Sequence, residues 1–141
     1  MRKFVFIGIG GAAGAILRHL IAEVPIRNYM QNIPLGTLII NITGCFVLAF
    51  ILTASIEIFK FGPNLRLGMA TGFVGAYTTF STVCRQTADL FAGGYYYSAV
   101  DYIVVSAALG FSATYFGVIL ARKATTVRIK DEDITEENGA E

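Results

Sequence analysis

The sequence predicts an all-α integral membrane protein with four transmembrane helices, the third broken at mid-membrane. Three observations carry that reading. Of 141 residues, 55% are hydrophobic and only 15% charged, against about 25% charged in an average soluble domain. A chain this short has too much surface to hide so much apolar side chain in one soluble core. The apolar residues also fall in charge-free runs near the ~20 residues that a membrane helix needs. Other classes are excluded on the same ground. A net charge of +1 gives no electrostatic footing for nucleic acid. No nucleophile–base pair and no metal-spaced cluster supports an enzyme.

The first span, about residues 4–22, starts from the charge-free run Phe4–Leu17 and continues past Arg18 and His19. Arg18 sits close enough to the helix end to snorkel to the interface, and His19 reads as an interface residue rather than a ligand. Arg2-Lys3 ahead of an apolar run resembles a signal peptide. The glycines, Arg18-His19 within the run and three further spans favour an uncleaved helix. Gly8, Gly10 and Ala13 fit a dinucleotide-binding spacing, but that motif needs a strand, a helix and an acid about 20 residues on. Here that distance leads to Ile33-Pro34. Gly10 and Gly14 instead form a small-residue face on which membrane helices approach closely.

The second span, 35–57, holds 22 charge-free residues from Leu35 to Ile56. Thr37 and Asn41 are four residues apart and share a face, which Gly44 continues. Such a polar stripe faces either a partner helix or a wet pathway. The third span, 67–90, crowds Thr78, Thr79, Ser81 and Thr82 next to Gly75. Glycine and threonine are mediocre helix formers, so a break is expected there. Irregular backbone at membrane depth survives only inside protein or along a cavity, where it presents carbonyls to cations and half-helix N-termini to anions. The fourth span, 100–121, sets Ser106, Gly110, Thr114 and Gly117 on one stripe, read first as packing and second as pathway.

These spans make one channel-sized unit, residues 1–124. Loops are expected at 23–34, 57–66 and 89–101. Six acids follow Lys130, so 125–141 reads as a disordered acidic tail. Tyr29, Tyr95, Tyr96, Tyr97 and Tyr102 suit an aromatic belt. Cys45 and Cys84 fall inside spans and read as soft packing residues. Four spans put both termini on one side. That side receives Arg2, Lys3, Lys60, Arg66, Arg122 and Lys123, against Arg27 and Arg18 opposite. The positive-inside rule makes it the cytoplasm.

Three segments together carry a resemblance. Gly10–Arg18 reads GGxxGAxxR, Gly36–Gly44 reads GTLxxNxxG, and Gly72–Thr82 reads GFxGxxTTFST. The chain resembles the CrcB/Fluc fluoride channels of bacteria. The resemblance implies a cell-membrane dimer of antiparallel subunits with two pores. It implies passive, selective fluoride flow that lowers cytoplasmic fluoride. It also implies a structural, untransported Na⁺ at the dimer centre, on main-chain carbonyls that match Gly75 and Thr78. Asn41 matches the pore asparagine, and Phe80 the first of two phenylalanines whose ring edges face fluoride. The chemistry is compatible. Amide and hydroxyl hydrogens of Asn41, Thr37, Ser81, Thr82 and, more distantly, Ser106 can replace fluoride's water. Aromatic edges carry partial positive charge, and conduction requires binding weak enough to release the ion.

The chain departs from the pattern twice: Val83 stands where the second Phe is expected, and Gln86 where a Glu is expected. Valine has no ring edge. The strong charge bias also sits awkwardly with antiparallel assembly from one gene product. The dimer is therefore either self-paired or built with a homologous subunit of opposite orientation. The competing function is a four-helix proton-coupled multidrug exporter. That requires a carboxylate deep in the first span, and Glu23 lies at its end.

Overall fold

The computed structural model describes residues 1–23, 33–57 and 62–138, with side chains through 56 in the second stretch and 126 in the third. All regular structure among them is helical. In order these are α1 (Arg2–Ala22), α2 (Leu35–Glu57), α3 (Pro63–Leu67), a π-helical segment (Gly68–Val74), α4 (Gly75–Tyr77), α5 (Phe80–Ala92) and α6 (Tyr96–Asn138). Three stretches are long and apolar enough to cross a membrane: Arg2–Ala22, Leu35–Ile56 and Tyr96–Thr126. Because α1 is helical from Arg2, no strand precedes Gly8-Ile9-Gly10, and the dinucleotide-like spacing lacks its structural context.

Two packing units make up the fold. In one, α1 lies against the π-helical segment. Gly10 meets the Gly68 carbonyl and Gly14 the Phe73 carbonyl. In return, Gly68 and Gly72 sit on the backbone of Phe6 and Ile7, with a side chain at 72 meeting the Ile7 carbonyl at 2.6 Å. Any side chain at these positions would drive the backbones apart, as expected of small-residue membrane packing. In the other unit, α2 runs against α6. Gly110 lies beside the Cys45 thiol and Gly117 against the Phe46 carbonyl and Ala49, so these two members of the fourth-span stripe are packing residues. Thr114 donates to the Gly110 carbonyl at 2.9 Å and faces outward.

The buried cluster joins α2, α5 and α6 through Leu38, Leu90, Ala99 and Tyr102, with Ile42 and Val83 packed on it. Tyr102 is 0% exposed, and its hydroxyl donates to Gln86 Oε1 at 2.9 Å. It is therefore a core residue and not part of an interfacial belt. Tyr95, Tyr96 and Tyr97 are exposed; Tyr29 lies outside the described residues.

Two expected boundaries move. The loop placed at 89–101 shrinks to 93–95, between α5 and α6, where Gly94 adopts φ 80°. That left-handed turn is open to glycine at little steric cost. Charges such as Asp89 and Asp101 mark where side chains meet water; they do not stop a helical ladder. For the same reason α6 continues to Asn138, where the sequence reading expected disorder from 125. No glycine or proline interrupts the chain between Gly117 and Gly139. The expected loops 23–34 and 57–66 lie largely outside the described residues.

Candidate functional site

Between α4 and α5 the backbone leaves the helix for two residues. Thr78 has φ −79°, ψ 158° and Thr79 has φ −150°, ψ 115°. Both are extended, so helical hydrogen bonds are lost around them, and each freed group needs a new partner. The Thr78 amide and hydroxyl both donate to the Val74 carbonyl, at 2.9 and 3.0 Å, closing the upstream helix. Thr79 opens the downstream one. Its hydroxyl accepts from the Thr82 amide at 3.2 Å and lies 2.9 Å from the Thr82 hydroxyl. This is an N-cap, a preferred role for threonine.

The remaining Thr79 groups go to Asn41. Its Nδ2 donates to the Thr79 carbonyl at 3.0 Å, and its Oδ1 accepts from the Thr79 amide at 2.9 Å. One side chain on α2 thus satisfies both polar groups of an extended residue 38 positions away. A carboxamide is suited to this because it carries a donor and an acceptor side by side. One Nδ2 hydrogen remains for a further acceptor. One turn on, Gly44 receives the Thr78 methyl so closely that a Cβ would overlap it. Behind the break, Tyr77 is buried and stacks on Phe73 with ring centroids 6.1 Å apart. Its hydroxyl lies 2.8 Å from the Thr43 hydroxyl, which itself donates to the Ile39 carbonyl; Tyr77 is therefore the donor of that pair.

The clamp has a consequence for Gly75 and Thr78. In a continuous helix their carbonyls would accept from the amides of Thr79 and Thr82. Those amides are bound instead by Asn41 Oδ1 and Thr79 Oγ1. Both carbonyls are released from the i+4 ladder and are suited to a hard cation, which takes oxygen ligands. Among the described residues no group of three or more His, Cys, Asp or Glu converges.

A cavity of about 720 Å³ lies beside the clamp, between α2, α5 and α6. Asn41, Thr78, Thr79, Phe80, Val83 and Ser106 all border it. Phe80 is 81% exposed at its edge. The structure thus gathers Asn41, Phe80 and Ser106 of the sequence-expected pathway residues around one space, and separates others. Thr37 is buried beside Tyr102. Gln86 faces that same tyrosine. Thr82 is held by the cap, and the exposed Ser81 hydroxyl lies 3.3 Å from Thr79 Oγ1. Val83 borders the cavity and also packs on the buried cluster.

Sequence reasoning missed Thr79 as the hub of the cap and clamp. A threonine directly ahead of an apolar residue that opens a helical stretch, Thr79 before Phe80, was the available signal. It also missed Cys45, Cys84 and Thr87 as cavity residues. The spacing of Phe80, Val83, Cys84 and Thr87 on one face of α5 could have found them.

Comparison with known proteins places these residues in a family. Residues 5–118 match the model of "CrcB-like protein, Camphor Resistance (CrcB)". The chain is 44% identical over 121 residues to the fluoride-specific ion channel FluC of Thermosipho melanesiensis, covering 85% of this chain and 96% of that one. It is 38% identical over 138 residues to fluoride-specific ion channel FluC 1 of Moorella thermoacetica, covering 98% and 99%. It is 36% identical over 121 residues to fluoride-specific ion channel FluC 2 of Staphylococcus saprophyticus, covering 86% and 98%.

Proposed function

The chain belongs to the CrcB-like family, and from that membership we propose that it is a fluoride-specific channel subunit, a multi-pass membrane protein and not an enzyme. The observation that carries the site assignment is the Asn41 clamp on Thr79 beside the cavity. Fluoride holds its water strongly, so a pathway must offer donors in place of that water. The free Nδ2 hydrogen of Asn41, fixed in direction by the two bonds to Thr79, is one. The positive end of α5 and the edge of the exposed Phe80 ring are others. None carries a full charge, so the ion is held weakly enough to leave. Ser81 and Thr82 border the same break; Thr37 supports the pathway from the Tyr102 side.

A structural Na⁺ fits the released carbonyls of Gly75 and Thr78. Bound there, it would supply a fixed positive charge behind the break. The residues of this chain would hold it through main-chain oxygens, and its transport is not part of the reading.

The working unit is an antiparallel dimer, self-paired or with a homologous subunit, in a cell membrane with both termini cytoplasmic. The numbered names FluC 1 and FluC 2 among the relatives support a paired arrangement. So does the basic bias of Arg2, Lys3, Arg66, Arg122 and Lys123. A reporter at the C-terminus tests this: a single orientation is expected, and an even mixture of orientations would sink the paired-subunit reading.

The test of function is fluoride efflux from liposomes holding the purified chain in Na⁺, with chloride as control. Fluoride efflux without chloride leak is expected, from the chain alone or with its homologous partner. Absence of efflux in both would overturn the assignment. The proton-coupled exporter alternative calls for a carboxylate deep in the first span, and Glu23 is at the end of α1, exposed and paired with His19 at 3.3 Å.

A further inference from the structure

We propose that the π-helical segment is a register adapter: held by Gly10 and Gly14, it takes up one residue more than an α-helix would, and so turns the break away from α1 and toward Asn41. This deepens the reading of the site, and it rests on the fluoride-channel reading for the efflux measurement alone.

The sequence spacing points to a different helix. Gly68, Gly72 and Gly75 stand at i, i+4 and i+7, which is one face of an α-helix. A continuous helix would lay all three on α1. In it Tyr77 would stand about two and a half turns beyond Gly68 and face the opposite side. The structure does otherwise. Gly68 and Gly72 touch the backbone of Phe6 and Ile7, but a side chain at Gly75 would meet nothing of α1, only the Ala70 carbonyl at 4.0 Å. Gly75 is exposed and Tyr77 is buried. It is the Tyr77 amide that lies against α1, 3.1 Å from where a Cβ on Gly14 would stand.

The hydrogen bonds locate the extra residue. A π-helix pairs an amide with the carbonyl five residues back, and such turns are rare and often mark functional sites. The Gly75 amide reaches Ala70 in this way. The same pairing joins Phe73 to Gly68, and Gly10 rests on that pair. A Cβ there would overlap the Gly68 carbonyl and lie 3.0 Å from the Phe73 amide. Gly14 rests on the next pair, the Phe73 carbonyl and the Tyr77 amide, which is an α-helical one. Thus α1 advances four residues, from Gly10 to Gly14, while the chain facing it advances five, from Gly68 to Phe73. Everything downstream is turned by about 100°, the step of one helical residue. That turn takes Gly75 off the seam. It brings the Thr78 methyl onto Gly44 and both backbone groups of Thr79 onto Asn41, all on α2. Gly10 and Gly14 are therefore positioning residues, which act on the site through the segment they hold.

The first test is the melting temperature in detergent, which needs no conduction. Gly75→Ala should melt within error of wild type, because the position is off the seam. Gly72→Ala should melt several degrees lower, because its side chain meets the Ile7 carbonyl and overpacking destabilises. Equal melting temperatures in the two variants would overturn the adapter. The second test is fluoride efflux from the full chain, with its homologous partner where that is required. Deleting Thr71, an exposed residue of the segment, should turn the π turn into an α turn and leave the break in place, with efflux like that of wild type. Deleting Ala12, exposed on α1 where no residue is spare, should cost about tenfold or more, as displacement of a site does. A loss on deleting Thr71 as large as that on deleting Ala12 would overturn the proposal, and so would wild-type efflux in both. Should wild type fail to conduct in any assembly, the channel reading fails, and the melting comparison alone decides the adapter.

Discussion

The seam between α1 and the π-helical segment and the break between α4 and α5 are both built on small residues, with opposite results. At the seam, Gly10, Gly14, Gly68 and Gly72 let two backbones touch. At the break, Gly44 makes room for Thr78, and the chain unwinds over two residues. The freed groups must then be recaptured by Asn41 and by the Thr79 hydroxyl. The first arrangement is closed packing. The second leaves directed donors, two released carbonyls and a cavity. Close approach by glycine builds a scaffold; the candidate site forms where helical hydrogen bonds are traded for side-chain ones.

That contrast can be broken most forcefully at Asn41. Asn41→Asp keeps the acceptor for the Thr79 amide but replaces the donor with a second acceptor facing the Thr79 carbonyl. The uncompensated charge is worth about 3 kcal/mol or more, so fluoride efflux should drop by at least ~100-fold. Wild-type efflux in liposomes would return Asn41 to a packing role. Gly14→Val attacks the seam instead. Its side chain would overlap the Phe73 carbonyl, and overpacking of this kind costs about 1–3 kcal/mol. A lower melting temperature in detergent is the expected result, and an unchanged one would mean the seam is looser than drawn.

The next effect should separate function from stability. Phe80→Ile removes the ring edge from an exposed position, so efflux should fall by about tenfold, the equivalent of ~1.4 kcal/mol. The melting temperature should stay within error of wild type; a large drop would make Phe80 a packing residue. The smallest effect belongs to Thr79→Ala, which deletes the cap on α5 while leaving the Asn41 clamp to the backbone. Loss of an N-cap costs about 1 kcal/mol, visible as a modest fall in melting temperature, with efflux reduced less than in Asn41→Asp. Equal losses in the two variants would merge cap and clamp into one element.

Much of this molecule is legible from residue order. The positions of α1, α2 and α6 follow from charge-free runs, because hydropathy is a property of neighbouring side chains summed along the chain. The crowding of Thr78, Thr79, Ser81 and Thr82 beside Gly75 marks the unwound backbone, because helix propensity is also local. The limits of the third loop and of α6 were not legible from charge, because Asp89, Asp101 and the acidic tail report contact with water, whereas Gly93-Gly94 and the lack of glycine or proline between Gly117 and Gly139 govern where a helix stops. Tyr102 looked interfacial by sequence position and proved to be core, since its partner Gln86 comes from another helix.

The sequence by itself determined which residues are apolar enough to enter a membrane, where the helical ladder is weak, and which polar side chains accompany it. Only the tertiary structure decided how those polar groups pair. Asn41 and Thr79 are 38 residues apart, and no local rule links them. It also decided that Thr43 and Thr114 spend their hydroxyls on their own helices while the buried Thr87 and Ser106 hydroxyls have no partner in the protein. The physical reason is one of range: burial and propensity act along the chain, but a hydrogen bond chooses its partner in space.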